Sequence, residues 1–182
     1  MKTTRTGAAL FALLALAGCT APEPAGEAAR QAEEAHAALP RAIDCERRGA
    51  ALDVEADTSA GARRAAAPLG SPLNVRLHGL RTVSPVFTPG RKAKSDDAFA
   101  GLVPFRVEAS GTYTVLVASL AWADLGEANP PRLVEPQSFR WVTACGKRFK
   151  SGLYALEPGR VYFVQLWDSP DRELTLMLRR LP

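Results

Sequence analysis

From Leu73 onward, the chain is divided into short segments that alternate apolar and polar residues, and this pattern constrains the fold more than any other feature. Residues 73–78 and 173–179 follow the period of two that is typical of half-buried strands. Residues 112–118 are rich in β formers, and residues 161–167, apolar on both faces, predict a central strand. Glu157-Pro158-Gly159-Arg160 has Pro and Gly where a type II turn needs them. About seven or eight such strands predict a mainly β domain, an antiparallel β-sandwich or a jelly-roll-like fold.

The residues before Leu73 have a different composition and predict a tether rather than a core. Residues 25–39 are mostly Ala, Glu, Gln and Arg, which favour a helix, but the Ala-rich face offers little area to bury. Residues 55–72 are small residues with Gly and Pro and predict a linker. We therefore expect an Ala-rich, partly helical tether over residues 19–72 and a β-sandwich domain over residues 73–182.

The first residues have the composition of a secretory signal peptide. Lys2 and Arg5 form a short basic region, and residues 8–17 form an apolar run of about ten residues. That run is too short to cross a bilayer as a helix, which needs about 20 residues. We expect residues 1–18 to be a signal peptide that is removed on export.

The end of this leader, Leu16-Ala17-Gly18-Cys19, resembles the lipobox of bacterial lipoproteins. The resemblance implies that the Cys19 thiol receives a diacylglyceryl group, that the bond before it is cut, and that the protein is held on a membrane by acyl chains. Thr20 follows the cysteine instead of Asp, which in a Gram-negative cell favours the outer membrane, with the domain facing the periplasm. The alternatives are an ordinary signal peptide with an incidental cysteine and an anchor that is not cleaved.

The remaining cysteines, Cys45 and Cys145, form an even pair in a chain that we expect to be exported, and such pairs favour a disulfide. The closed loop of about 100 residues would stabilise the fold by roughly 4–5 kcal/mol. Two free thiols are the alternative.

Four segments of the domain resemble the bacterial pre-peptidase C-terminal type of β-sandwich. These are residues 110–115, with a Gly-x-Tyr strand, residues 122–125, residues 156–166, with a Leu-x-Pro-Gly-x-Tyr hairpin, and residues 174–178. The resemblance implies a sandwich fold. Some members of that family bind calcium through acidic residues, and here Asp124 alone matches them.

The sequence contains no catalytic motif. His36 and His78 have no metal-ligand or nucleophile spacing, and no Gly-x-Ser-x-Gly, Ser-x-x-Lys or P-loop pattern is present. Asp168 and Asp171 bracket a Ser-Pro turn, where Asp stabilises the backbone. The net charge of +4 includes two basic residues of the leader, so no concentrated basic field suggests nucleic acid as a partner. We expect no cofactor and no metal.

The three tryptophans, Trp122, Trp141 and Trp167, are the candidates for a ligand-binding face, because exposed aromatic rings on a sandwich stack on sugars or peptides. Burial in the core is the alternative role. The sequence thus favours a non-catalytic binding or accessory module that meets an envelope protein or glycan. An exported, hydrolase-like enzyme whose site is not recognisable from one sequence is the alternative.

Overall fold

The computed structural model describes residues 25–42, 51–61, 66–144 and 146–181. Within these residues the chain is mainly β, as predicted, with one α-helix and a short 3-10 turn at Leu80–Thr82. No helix of the described residues is both long and apolar enough to cross a membrane. The elements, in chain order, are α1 (Ala25–Ala42), β1 (Leu52–Glu55), β2 (Pro72–Arg76), β3 (His78–Gly79), β4 (Phe99–Phe105), β5 (Gly111–Ala118), β6 (Trp122–Ala128), β7 (Pro131–Leu133), β8 (Ser138–Ala144), β9 (Lys147–Leu156), β10 (Tyr162–Ser169) and β11 (Glu173–Arg180).

The strands form two sheets, and the predicted β-sandwich is confirmed. The larger sheet has six strands in the order β1-β2-β11-β5-β9-β8, and the smaller sheet has five in the order β3-β4-β10-β6-β7. The pairings between these strands are antiparallel except that of β1 with β2, and an isolated parallel bridge joins Ala67 to Phe105. The strand predicted to be central, β10, lies in the middle of the smaller sheet.

The main core lies between the sheets and follows from the period of two. Alternate residues of β5 and β11, such as Val115 and Leu176, meet alternate residues of β10, such as Val164 and Leu166. Phe105 and Tyr162 stack with their ring centroids 5.6 Å apart. Because side chains alternate across a strand, one face of each sheet is committed to this core and the other needs a separate cover.

The larger sheet begins before the predicted domain start at Leu73. Residues 52–55 form β1 at its edge, paired in register with β2. Ala56 is fully buried, and Asp57 exchanges backbone hydrogen bonds of 2.7 and 2.9 Å with Leu102 of the smaller sheet. Small side chains make this stretch resemble a linker, but they also fit where backbone passes close to backbone: a Cβ on Gly101 would lie 2.5 Å from the Cβ of Ala56.

Helix α1 covers the outer face of the larger sheet at β8. Leu39 is fully buried in a second core with residues of β8, β9 and β11, and His36 is 1% exposed. The helix was expected from its composition, but a docked face was not, because most of its apolar residues are Ala. Two larger residues one turn apart, His36 and Leu39, provide the contact.

The outer face of the smaller sheet is covered by the loop between β3 and β4. Residues 83–87 form no strand; the loop is held by the buried Gln165 side chain, which accepts from Val86 N at 2.9 Å and donates to Phe87 O at 3.1 Å. The Phe87 ring lies against Gly126, where a Cβ would approach it to 2.0 Å. Side-chain hydrogen bonds thus replace strand pairing for this segment.

Candidate binding cleft at the edge of the sandwich

The inner face of the larger sheet is uncovered at β8 because the smaller sheet ends before it. The helix-facing residues of β8, Val142 and Ala144, are buried. Their neighbours on the opposite face, Phe139 and Trp141, are 55% and 39% exposed. The edge strand of the smaller sheet on this side, β7, has three residues, all exposed. The result is an open aromatic shelf where two sheets of unequal width end.

A cleft of about 300 Å³ lies between this shelf and the edge of the smaller sheet. Phe139 and Tyr154 of the larger sheet line one side, and Trp122, Leu125 and Leu133 of the smaller sheet line the other. The segment between β7 and β8 closes one end with further side chains. A mainly apolar cleft with a few polar groups is the usual form of a ligand site.

Tyr154 contributes a polar group to this cleft. Its side chain is 5% exposed, and its hydroxyl makes no hydrogen bond to any described residue. Burial raises the pKa of this phenol well above its usual value, with smaller contributions from Asp124 and Glu135. The ring folds back over Gly152, whose missing side chain provides the room: a Cβ there would lie 2.6 Å from the ring. The hydroxyl is therefore a neutral donor available to a bound group.

Lys150 joins the two walls at the other end of the cleft. Its ammonium donates to the carbonyl oxygens of Ala121 and Leu120, the latter at 3.0 Å, and lies 5.5 Å from the Trp141 ring centroid. Burial lowers the pKa of Lys150, Arg91 adds to this effect, and Asp168 opposes it. Lys150 thus connects β9 of the larger sheet to the turn before β6 and holds the two sides of the cleft together at this end.

The wall formed by β6 carries unpaired backbone. β7 pairs with Gly126–Ala128, and Val134 N donates to Leu125 O at 2.8 Å, but no described strand pairs with residues 122–124 on that side. Since backbone groups alternate in direction along a strand, the N–H and C=O of Ala123 point to the same side as the Leu125 carbonyl. A strand edge therefore borders the apolar cleft.

Of the three tryptophans predicted as a ligand face, Trp122 and Trp167 lie directly opposite each other on β6 and β10, so their side chains share the outer face of the smaller sheet. Trp167 packs with the core beneath the β3–β4 loop, Trp122 lines the cleft, and Trp141 lies on the other sheet, on β8. The Arg148 guanidinium lies 4.6 Å from the Trp141 ring centroid. Phe139 and Tyr154, which the sequence did not single out, complete the site. The alternation in residues 138–142 predicts that Phe139 and Trp141 lie on one face of β8, and this was the only signal in the sequence for that side of the cleft.

The acidic candidates have structural roles. Asp124 accepts from Gly90 N at 2.9 Å and from the Trp122 indole at 2.8 Å. Asp168 accepts from Lys94 N at 2.8 Å and pairs with Arg91 at 3.3 Å. Both carboxylates hold the β3–β4 loop. Within the described residues no cluster of His, Cys, Asp and Glu could hold a metal ion.

A second polar cluster, which sequence reasoning missed, lies at the opposite end of the sandwich. Glu127 is bound by Arg132 through two hydrogen bonds of 2.7 and 3.1 Å and by Arg160 at 2.7 Å. Arg160 also donates to Glu157 at 2.9 Å. The hydrogen bond from Arg132 is the main cause that lowers the pKa of Glu127; Arg160 adds to it and burial opposes it. This carboxylate is therefore ionised and accepts structural hydrogen bonds. A general acid must carry a proton at the working pH, and a lowered pKa disfavours the protonated form.

The two histidines also have local contacts. The His78 Nε2 atom lies 2.8 Å from Ala56 O and 3.3 Å from Glu55 Oε1. The His36 Nδ1 atom lies 3.1 Å from the Ser138 hydroxyl. Neither contact has the arrangement of a metal ligand or a catalytic base.

The predicted lipidation and disulfide residues, Cys19, Cys45 and Cys145, lie outside the described residues. Their roles stay predictions. Thiol counting on the denatured protein tests the pair, because a Cys45–Cys145 disulfide leaves neither thiol reactive before reduction.

No protein-family profile matches the chain, and no curated protein is significantly similar to it. The resemblance to pre-peptidase C-terminal sandwiches therefore stays an interpretation of the motif residues. What the structure establishes is the sandwich itself.

Proposed function

We propose that the protein is an exported lipoprotein, held on a membrane of the bacterial envelope by acyl chains on Cys19, whose β-sandwich is a non-catalytic binding module. In a Gram-negative cell it faces the periplasm from the outer membrane. Its ligand is an extended, apolar peptide segment of a partner protein. The observation that carries the proposal is the coincidence of an unpaired strand edge, at residues 122–124, with the aromatic cleft beside it.

An extended peptide suits both features at once. Its backbone adds to the free edge at Ala123, and alternate side chains enter the cleft between Phe139 and Leu133. Recognition by strand addition takes affinity from main-chain hydrogen bonds and specificity from pockets for alternate side chains. The Tyr154 hydroxyl donates to a polar group of the same peptide. A glycan would need more hydrogen-bonding side chains than this cleft offers.

Titration of the full-length protein with a fluorescein-labelled peptide of alternating Val and Thr tests the cleft by fluorescence anisotropy. Phe139→Ser should weaken binding about tenfold or more, as expected for a central aromatic contact. Tyr154→Phe should weaken it about fivefold, through the lost hydrogen bond. The matched control is Leu52→Ser, which changes an exposed apolar residue on the far edge strand, 48% exposed. Equal affinity for the Phe139 and Leu52 variants, or no binding of the peptide, would contradict the proposal.

The lipid anchor has a separate test. Cells labelled with radioactive palmitate should show the wild-type protein labelled and Cys19→Ala unlabelled and unprocessed. Normal labelling of Cys19→Ala would rule out the lipoprotein. The alternative of an exported hydrolase lacks a comparable observation, since arginines pair with both carboxylates of the Glu127 cluster.

A further inference from the structure

Helix α1 determines which end of the sandwich lies nearest Ala25, the first residue that the structure describes. Glu33 forms an ion pair with Arg140 of β8. One turn later in the helix, His36 contacts Ser138, which comes earlier in β8. The helix therefore runs antiparallel to β8, and its first turn lies towards the end of β8 that leads into the β8–β9 turn.

The chain between the proposed anchor and this helix is short. From Cys19 to Ala25 an extended chain spans about 20 Å at most. That is less than the length of the helix that follows, about 27 Å for its 18 residues. If Cys19 is acylated, as the proposed function holds, the sandwich is held close to the bilayer, with one end nearest to it.

This anchor end is formed by residues 90–98, 119–121, 146–150 and 169–172. The strand pairing shows that these segments lie at one end of the sandwich. Val117, near the end of β5, pairs with Lys150, near the start of β9, and Ala118 pairs with Thr175 of β11. The β3–β4 loop reaches the same place, since Arg91 and Lys94 line one hollow with Leu120 and Pro170.

The anchor end has exposed apolar side chains and more basic than acidic residues: seven Lys and Arg against three exposed acids, Asp96, Asp97 and Asp171, of which Asp96 pairs with Arg81. Leu120, at the tip of the β5–β6 turn, is 69% exposed, and Trp141 is flanked by Arg148 and Lys150. Lys147 lies exposed beside the β8–β9 turn. On the β3–β4 loop, the exposed Lys94 lines the hollow with Leu120 and Pro170, and Lys92, two residues earlier in the loop, is also exposed. Exposed Leu and Trp side chains enter the interfacial layer of a membrane, and Lys and Arg around them are attracted to anionic headgroups. The residues of this end therefore suit the surface of an anionic membrane.

We propose that the anchor end is a membrane-docking surface, which lies on anionic lipid with Leu120 and Trp141 in the headgroup layer and Lys92, Lys94, Lys147 and Arg148 against the phosphates. The inference rests on the lipid anchor of the proposed function. It gives the domain a fixed orientation on the membrane, because the acyl chains and the docking surface both attach the same end of the sandwich to the bilayer. Phe139 comes two residues before Trp141 in β8 and so lies further from the anchor end. In this orientation Phe139 and the cleft that it lines are held away from the bilayer.

The test uses the acylated full-length protein in vesicles that contain phosphatidylglycerol and lipids brominated in their acyl chains. Bromine quenches nearby tryptophan, and all three tryptophans lie at or near the anchor end. Quenching is expected in anionic vesicles and should decrease as NaCl is added. Lys147→Ala should lower the docking equilibrium about fivefold, as expected for one basic residue at an anionic surface. Its quenching should therefore be lost at lower salt.

The matched control is Arg106→Ala, which removes an exposed basic residue at the opposite end of the sandwich and should leave the salt titration unchanged. Leu120→Ser should reduce quenching at every salt concentration. Equal behaviour of the Lys147 and Arg106 variants, or no quenching of acylated protein that sediments with the vesicles, would overturn the docking surface while leaving the anchor in place. A mass spectrum without acyl chains would overturn the anchor, and the docking proposal with it.

Discussion

At the scale of single residues, Glu127 shows how this sandwich holds a carboxylate that is 6% exposed. Two arginines surround it, and their hydrogen bonds lower its pKa from the ordinary value of 4.5. A carboxylate whose pKa is lowered by folding contributes stability above pH 4.5, and this contribution is lost as pH falls through the lowered pKa. The cluster therefore stabilises the protein at neutral pH and contributes to its acid sensitivity.

Glu127→Gln should lower the free energy of unfolding by about 1–2 kcal/mol at pH 7, because charge-assisted hydrogen bonds are lost while solvent screens the exposed arginines. The difference from wild type should shrink as pH falls from 4.5 through the lowered pKa, because the wild-type carboxylate then also becomes protonated. Urea unfolding at a series of pH values measures this. Glu157→Gln is the matched control, because Glu157 is exposed and meets Arg160 alone. Its effect should be clearly smaller; an equal effect would rule out the burial argument.

At the scale of elements, the docking of α1 depends on a buried histidine. Burial lowers the pKa of His36, while the nearby Ser151 backbone opposes the shift. The Nε2 atom has no hydrogen-bond partner among the described residues. A protonated ring would place an unpaired charge between helix and sheet, beside the pair formed by Glu33 and Arg140.

Acidification should therefore release α1. Because folding lowers the pKa of His36, the docked state has its full stability above pH 6.5 and loses it as pH falls through the lowered pKa. Hydrogen exchange of the α1 amides, corrected for intrinsic rates, should accelerate between pH 7 and pH 5 more than exchange in β10. His36→Gln keeps a polar group opposite Ser138 but cannot gain this charge. A similar acceleration in that variant would show that His36 is not the cause.

At the scale of the whole molecule, the folded body begins well before Leu73. Leu39 and Ala56 are both fully buried against the sheets. A chain that starts at Leu73 lacks both and exposes the surfaces they cover. We expect it to lose roughly 3–5 kcal/mol of unfolding free energy relative to a chain that starts at Ala25, because a few apolar side chains are no longer buried. Urea unfolding of the two truncated proteins measures the difference, and equal midpoints would restore the linker interpretation.

The strands and the fold class could be predicted because their signal is local. The alternation in residues 173–179 and the two-sided apolar run at 161–167 determine β11 and β10, wherever their partners lie. Residues 55–72 and the Ala-rich helix could not be placed, because small side chains give the same pattern in a linker and in close packing. Their burial depends on neighbours such as Gly101 that are distant in the chain.

The sequence by itself determined that the chain is mainly β and that Phe139 and Trp141 share one face of β8. Alternation specifies which residues lie together, since successive side chains point to opposite faces. Only the tertiary structure decided that this face is open. The smaller sheet has one strand fewer and ends in the three-residue β7, so a face that would be core elsewhere in the sandwich is here a cleft. Sheet width is a property of how distant segments pair, and no local pattern in the chain records it.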